Sequence, residues 1–387
     1  MAGKSSQSNN RGTDLFGMFV SGKGKDFHTY KNAKHLAPQT GMDASGGTIT
    51  NYTDGSISYR VHTFTSSNTF VVNTLSENIS GGNDIEYLVV AGGGGGGQNL
   101  SGGGGAGGLR TNLSGHPLAA PTYTVSAQSY TVTIGGGGAV QTSSEAAGNN
   151  GVNSEFYPTP VSYPSTARIR AVGGGGGAGG AGGANASKSG GSGGGSPGYG
   201  YPQTGLTPAY SGAPGNTTDP NHPKQQGYPG GQNGPNYGDN YIGAGGGGAG
   251  GIGSPGDRPN GNAVNNPITG NGGVGVQVNI DNNNYYWAGG GGGGAYTSSS
   301  PEKHAGDGGL GGGGGGASIE STTYGIGGGS ALNSGGNGNP SAPNSIGGNG
   351  GENTGGGGGG CGHPATGPTG GAGGKGIVIV RYKMSTF

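Results

Sequence analysis

The clearest alternation of apolar and polar residues lies at positions 57–62, where Ile57, Tyr59 and Val61 alternate with Ser58, Arg60 and His62. A period of two is what a half-buried β-strand requires. The preceding Tyr52-Thr-Asp-Gly55 holds an Asp-Gly pair, a strong short-range signal for a hairpin. Phe70-Val-Val72 predicts another strand, and apolar stretches predict more at residues 85–91, 123–125, 130–134, 168–172, 274–280 and 377–382. In the 274–280 stretch Val274, Val276, Val278 and Ile280 fall on one face. No stretch predicts a helix of useful length, because glycine costs about 1 kcal/mol per helical residue relative to alanine.

The apolar stretch at 85–91 runs straight into six glycines at 92–97, and variants of that device recur. Glycine runs lie within residues 171–183, 242–251, 287–295, 310–317 and 354–362, and the last, 370–374, leads into the apolar stretch 376–382. Between them sit inserts of uneven length, at 185–240, 254–284, 296–307, 318–324, 332–353 and 361–369, rich in Asn, Ser, Pro and Tyr. Uneven spacing excludes a solenoid of fixed repeat length. A polyglycine segment can form an extended left-handed threefold helix, rising about 3.1 Å per residue with no internal hydrogen bonds. Every N–H and C=O then needs an outside partner. Collagen needs glycine only at every third position; an unbroken run implies crowding on all sides, the condition for a hexagonal bundle. One run alone loses more backbone entropy than its hydrogen bonds return. Several runs packed together and anchored by apolar strands can hold.

Composition tests that picture. Of 387 residues, 107 are glycine and 22 proline, while only 9% are charged, a bias that ordinarily marks low-complexity chains. The 17 basic side chains balance the 17 acidic ones, unlike the high net charge of many disordered segments. That balance also argues against nucleic acid as a partner, since phosphate binding needs a basic surface. A single cysteine, Cys361, excludes an intrachain disulfide framework. No secretory signal and no apolar run near the roughly 20 residues of a membrane span is present. The expectation is a protein made in a cytoplasm, with no membrane insertion.

Catalytic motifs do not assemble. Matches to GxGxxG are uninformative in so glycine-rich a chain, and Thr369-Gly-Gly-Ala-Gly-Gly-Lys375-Gly lacks the first glycine and the Ser/Thr of a phosphate loop. Cys361 and His363 are too few for a metal. Glu302, His304 and Asp307 share an insert, where solvation or a loop ion pair is the simpler account. No enzyme and no cofactor is expected. The aromatic residues are more suggestive: Tyr199, Tyr201, Tyr210, Tyr228, Tyr237, Tyr296 and Tyr324 lie in inserts, and Tyr285, Tyr286 and Trp287 directly precede a glycine run. Stiff amphipathic rings on loops suit recognition, which makes these ten residues candidates for receptor binding. Tyr286 and Trp287 serve equally well as caps lying flat over the ends of a glycine bundle.

Three segments carry a resemblance: Tyr59-Arg-Val-His-Thr-Phe-Thr-Ser-Ser-Asn-Thr-Phe70, Tyr87-Leu-Val-Val-Ala-Gly-Gly93 and Gly376-Ile-Val-Ile-Val-Arg-Tyr382. Together they resemble glycine-rich virion proteins of bacteriophages, of marine and cyanobacterial type, over residues 46–383. The runs and inserts are also similar to the tail-fibre adhesins of T-even-like phages, in which packed polyglycine helices carry receptor-contacting loops; the extra strands here are a departure. The resemblance implies an all-β plus polyglycine II fold: an N-terminal antiparallel β-domain, a bundle of left-handed polyglycine helices with irregular loops, and a closing C-terminal strand. The expected division is an attachment arm at 1–45, a β-rich domain with the first glycine runs at 46–172, the glycine-rich region at 173–375 and the closing strand at 376–387. The implied role is a tail-fibre or fibre-tip component of the virion. Its expected partners are other virion proteins through the N-terminal region, a host surface glycan or outer-membrane protein, and further copies of itself, a trimer by analogy. The alternative is a purely architectural capsid or tail decoration, or a filament subunit, whose inserts contact sister subunits.

Overall fold

The computed structural model describes residues 39–141, 143, 146–160, 167–180, 186–198, 224–232, 241–256, 270–296, 304–318, 324–340, 345–362 and 369–386. Within them the secondary structure is all β, in antiparallel sheets, with no helix. The strands are β1 (Asp43–Ser45), β2 (Thr48–Asp54), β3 (Ile57–Phe64), β4 (Asn68–Thr74), β5 (Asp84–Val90), β6 (Leu109–Thr111), β7 (Tyr123–Thr124) and β8 (Ser129–Thr133). They continue as β9 (Ser154–Pro158), β10 (Ile169–Ala171), β11 (Tyr241–Ile242), β12 (Val276–Gln277), β13 (Tyr286–Trp287), β14 (Ala295–Tyr296) and β15 (Ile377–Thr386).

Two sheets face each other. One runs β2-β3-β15-β5-β6, with β7 also on β5; the other runs β1-β4-β8-β9-β10. The Asp54-Gly55 signal marks the β2–β3 turn, where Gly55 has φ 59°. Phe64, Phe70, Tyr87, Val89, Tyr130, Val132, Phe156, Ile169, Val378, Val380 and Tyr382 fill the space between the sheets. Phe70 is their hub, 5.1 Å from the His62 ring, 6.2 Å from Tyr130 and 6.1 Å from Phe156. Each such buried side chain contributes about 1.5–3 kcal/mol. β1 lies ahead of the expected boundary at 45/46: Met42 and Ala44 are buried, and Ala44 registers with Val72. Sparse apolar residues in that stretch gave no alternation to read.

β15 lies between β3 and β5, with Ile377 opposite Val90 and Val378 opposite Val89. The outer face of this sheet is covered too. Val61, Leu88, Val90, Leu109, Ile377 and Ile379 pack against Ala249, Val278, Ile280 and Trp287 from the glycine-rich region. Burial on both faces explains why 87–91 is continuously apolar. The expected strand at 274–280 is corrected here: only Val276–Gln277 pairs, with Tyr286–Trp287. Gly275 instead donates to Leu310 O at 2.8 Å, which ties the first part of the stretch to the glycine runs, and Val274 is exposed while Val278 and Ile280 are buried.

The glycine runs bond with a period of three. Along residues 243–249, Gly243, Gly246 and Ala249 donate to Gly294, Gly291 and Ala288; Ala244 and Gly247 donate to Ser196 and Gly193; Gly245 and Gly248 donate to Ser254 and Gly251. Residues 289–295 repeat this in three other directions, toward residues 311–317, 270–273 and 101–104, while accepting from 357–360, 306–309 and 243–249. One run therefore has six neighbours, and no N–H from Gly289 to Gly294 is left over. Side chains have no room: a β-carbon on Gly357, Gly93 or Gly246 would fall on the carbonyl oxygen of Gly104, Gly356 or Gly104 respectively. Alanine replaces glycine where a methyl has an apolar place to go, as at Ala106, Ala249 and Ala288 beside the sheet and Ala295 and Ala305 beside Ile242.

Candidate binding surface

The direction of each run follows from its hydrogen bonds, and together they define two ends of the glycine-rich body. Residues 92–97 lead away from β5, turn at Asn99 and Leu100 (φ 62° and 45°), and return through 102–108 to β6. Gly97 donates to Gly102 at 3.1 Å at the far end of that excursion, and Ala91 to Gly108 at 3.0 Å at the near end. The antiparallel pairings place the other runs on the same scale. At the near end the connections are short: Ala249–Gly251, the β12–β13 hairpin, Gly311–Gly312 (φ 99° and 91°), and Asn353–Gly355 (φ 58° and 71° at its ends).

A second set of pairings fixes the far end. Gly180 donates to Gln98 O and Gly198 to Leu100 O, both at 2.7 Å, and Ser101 donates to Cys361 O at 3.1 Å. Gly256 and Gly270 both crowd Gly243 O, Tyr241 registers with Tyr296, and Ala295 bridges to Ser318. Asn339 pairs with Ile346, and Gly347 donates to Thr369. The residues flanking 181–185, 257–269, 297–303, 319–323, 341–344 and 363–368 therefore all lie at this end. Gly198 lies at this end, whereas Lys224 lies beside the sandwich, where Arg110 Nη1 donates to its carbonyl at 2.6 Å.

This polarity sorts the aromatic candidates. Tyr296 and Tyr324 are at the far end, Tyr324 being 39% exposed. Tyr228 lies within a run, its N–H on Gly248 O and its carbonyl on Gly193 N. Tyr285, Tyr286 and Trp287 are at the opposite end, against the sandwich. Trp287 is fully buried, its Nε1 donates to Val278 O at 3.0 Å, and Tyr285 meets it edge-on at 5.8 Å. Its indole packs the core and offers no surface to a receptor. Tyr199, Tyr201, Tyr210 and Tyr237 lie outside the described residues, as do Glu302 and His363.

Cys361 sits at the far end with no exposed surface. Its sulfur accepts from Asn99 N at 3.1 Å, and its N–H donates to Ser101 Oγ at 2.8 Å. Burial pushes the thiol up to about 11, so it stays protonated and closes the 98–101 turn rather than reacting. Among the described residues no three of His, Cys, Asp or Glu gather to hold a metal.

Two sets of residues escaped the sequence reading. Gln226 joins the edges of both sheets, accepting from Leu109 N through its carbonyl at 3.0 Å and from Val172 N through Oε1 at 2.9 Å. The insert asparagines, which read as turn formers, latch neighbouring runs. Asn271, Asn337 and Asn349 accept from Asp307 N, Gly327 N and Ala372 N at 2.8–2.9 Å, and Asn153, outside the inserts, accepts from Gly173 N at 2.9 Å. An Asn-Gly step beside a run, at Asn271, Asn337 and Asn349, is the signal that could have found three of them.

An all-β body bearing hydrogen-bonded glycine runs is a glycine-rich fold. A family model for a glycine-rich domain matches residues 65–338, most of the chain, and the protein belongs to that family. No curated relative matches it.

Proposed function

We propose that the glycine runs are left-handed polyglycine II helices in a hexagonal bundle, and that the bundle is the stiff scaffold of a bacteriophage virion protein. In this reading the protein is a tail-fibre or fibre-tip component that binds the host cell surface. The period-three bonding to six neighbours supports the helix assignment, since three residues per turn send successive N–H groups in three directions. The single observation that carries the function is the gathering of the insert junctions, Lys224 excepted, at the end remote from the sandwich. A structure built only to fill space has no reason to keep its near-end connections short and place its variable ones together. Loops on a rigid platform are the usual way to present a recognition surface.

The receptor-contacting residues in this reading are Tyr296 and Tyr324, with Tyr199, Tyr201, Tyr210 and Tyr237 of the inserts as further candidates. Their target is a surface glycan or an outer-membrane protein. The sandwich end and residues 1–45 attach to other virion proteins. Deleting 201–221 and 233–240 together, while keeping 224–232 because that segment bonds into the bundle, tests the reading. Particles should assemble in normal numbers and fail to adsorb. Normal adsorption would remove the receptor-binding role from these inserts.

A further inference from the structure

We infer that β2 is a docking edge for a second copy of this chain, forming a twofold pair through Thr48–Asp54. Each sheet of the sandwich ends in two edges, and three of these four are guarded. Gln226 accepts from Leu109 N on β6 and from Val172 N just past β10, and Arg110 Nε donates to Arg170 O on β10 itself. β1 is only three residues long and carries a register shift between Asp43 and Ala44, two devices that blunt an edge. β2 has none. It is seven residues long, regular in its pairing with β3, free of proline and lysine, and rich in β-branched residues. Among the described residues no backbone hydrogen bond joins it to anything but β3. Six of its seven residues are exposed, and Ile49 keeps 45% of its surface in water although it registers with buried His62.

The strand fits its own copy. Antiparallel self-pairing centred on Asn51 uses all seven residues, placing Ile49 against Thr53, Thr50 against Tyr52, and Thr48 against Asp54. No like charges face each other, and a chain with no net charge has no long-range repulsion to overcome. With a single open edge among the described residues of the sandwich, addition stops at a closed twofold pair instead of growing into a fibre. An added strand would also cover Ile49.

Sedimentation equilibrium of the full chain across a wide concentration range tests this. The expected mass rises toward twice 36.9 kDa, and Ile49→Lys returns it to the monomer with an unchanged urea midpoint. Register is tested with Asn51→Cys and oxidised glutathione. Directly opposed residues lie about 4.5–5.5 Å apart between Cα atoms, within disulfide reach, so Asn51→Cys should yield a covalent dimer. Thr48→Cys should not, because its own copy would be about 20 Å away. Cys361 is buried and does not compete. A mass that stays at 36.9 kDa overturns the inference, including the case in which residues 1–38 cover the edge. So does a dimer that Ile49→Lys leaves intact or Asn51→Cys fails to cross-link.

Discussion

Ile377, the first residue of the last strand, pairs in antiparallel register with Val90, the last strand residue before the first glycine run. The two ends of the glycine-rich region are thus fastened side by side, and both residues pack outward against Ala249, Val278 and Trp287. Sheet and bundle share this apolar layer, so they should melt together. Val89→Asp puts an unpaired carboxylate into the neighbouring sandwich core, at a cost of about 3 kcal/mol or more. The expected result of hydrogen exchange is joint loss of protection in β5 and residues 92–97. Protected glycine amides beside an exchanging sheet would mean that the bundle stands alone.

Glycine should be replaceable only where its surroundings permit. Gly357→Ala drives a methyl into Gly104 O, whereas a β-carbon at Gly136 meets nothing within 4 Å. Gly357→Ala is expected to destabilise by about 1–3 kcal/mol, the usual cost of overpacking. Gly136→Ala should be neutral or gain up to about 1 kcal/mol through the unfolded state. Urea midpoints measured side by side check the contrast; equal midpoints would contradict the close packing.

Trp287 is the sole tryptophan, and its burial makes it a reporter for the near end. Its emission should be blue-shifted and insensitive to iodide until global unfolding. Trp287→Phe leaves a void and strips Val278 O of its donor, so a loss of about 1–3 kcal/mol is expected. Receptor binding by the folded variant should be unchanged, measured as adsorption at a temperature where it remains native.

His62 supplies a pH dependence. Its Nδ1–H donates to Gly46 O at 2.7 Å, which leaves Nε2 to accept from Tyr382 Oη at 3.3 Å. Burial in the sandwich holds its pKa below the ordinary value of 6.5. Between that depressed value and 6.5 the unfolded chain binds the extra proton, so stability is complete above the window and falls as pH drops through it. His116 is lowered for the same reason and acts in the same direction. Melting temperatures measured from pH 7 to 5 should decline, and His62→Gln should flatten the decline. An unchanged slope would show that His62 is not the group responsible.

Much of the sandwich was legible because its strands are either alternating, as β3 and β8, or continuously apolar, as β4, β5 and β15, and the Asp54-Gly55 turn sits where its dipeptide placed it. β1, β6 and β9 were not, since three to five residues of Asp-Ala-Ser or Ser-Glu-Phe-Tyr-Pro carry no period. The glycine runs announced crowding, but their directions come from pairings across the whole chain, such as Gly93 to Gly374 and Gly104 to Gly358. Hence the sequence could name Tyr286, Trp287 and Tyr296 as candidates without showing that they sit at opposite ends.

Imaging the chain within an intact virion tests the central claim most directly. The account predicts that the sandwich end faces the particle and that the end bearing Tyr296, Tyr324 and the insert junctions points into solvent at a distal tip. Inserts buried between sister subunits, or a sandwich facing outward with the inserts toward the particle, would contradict it.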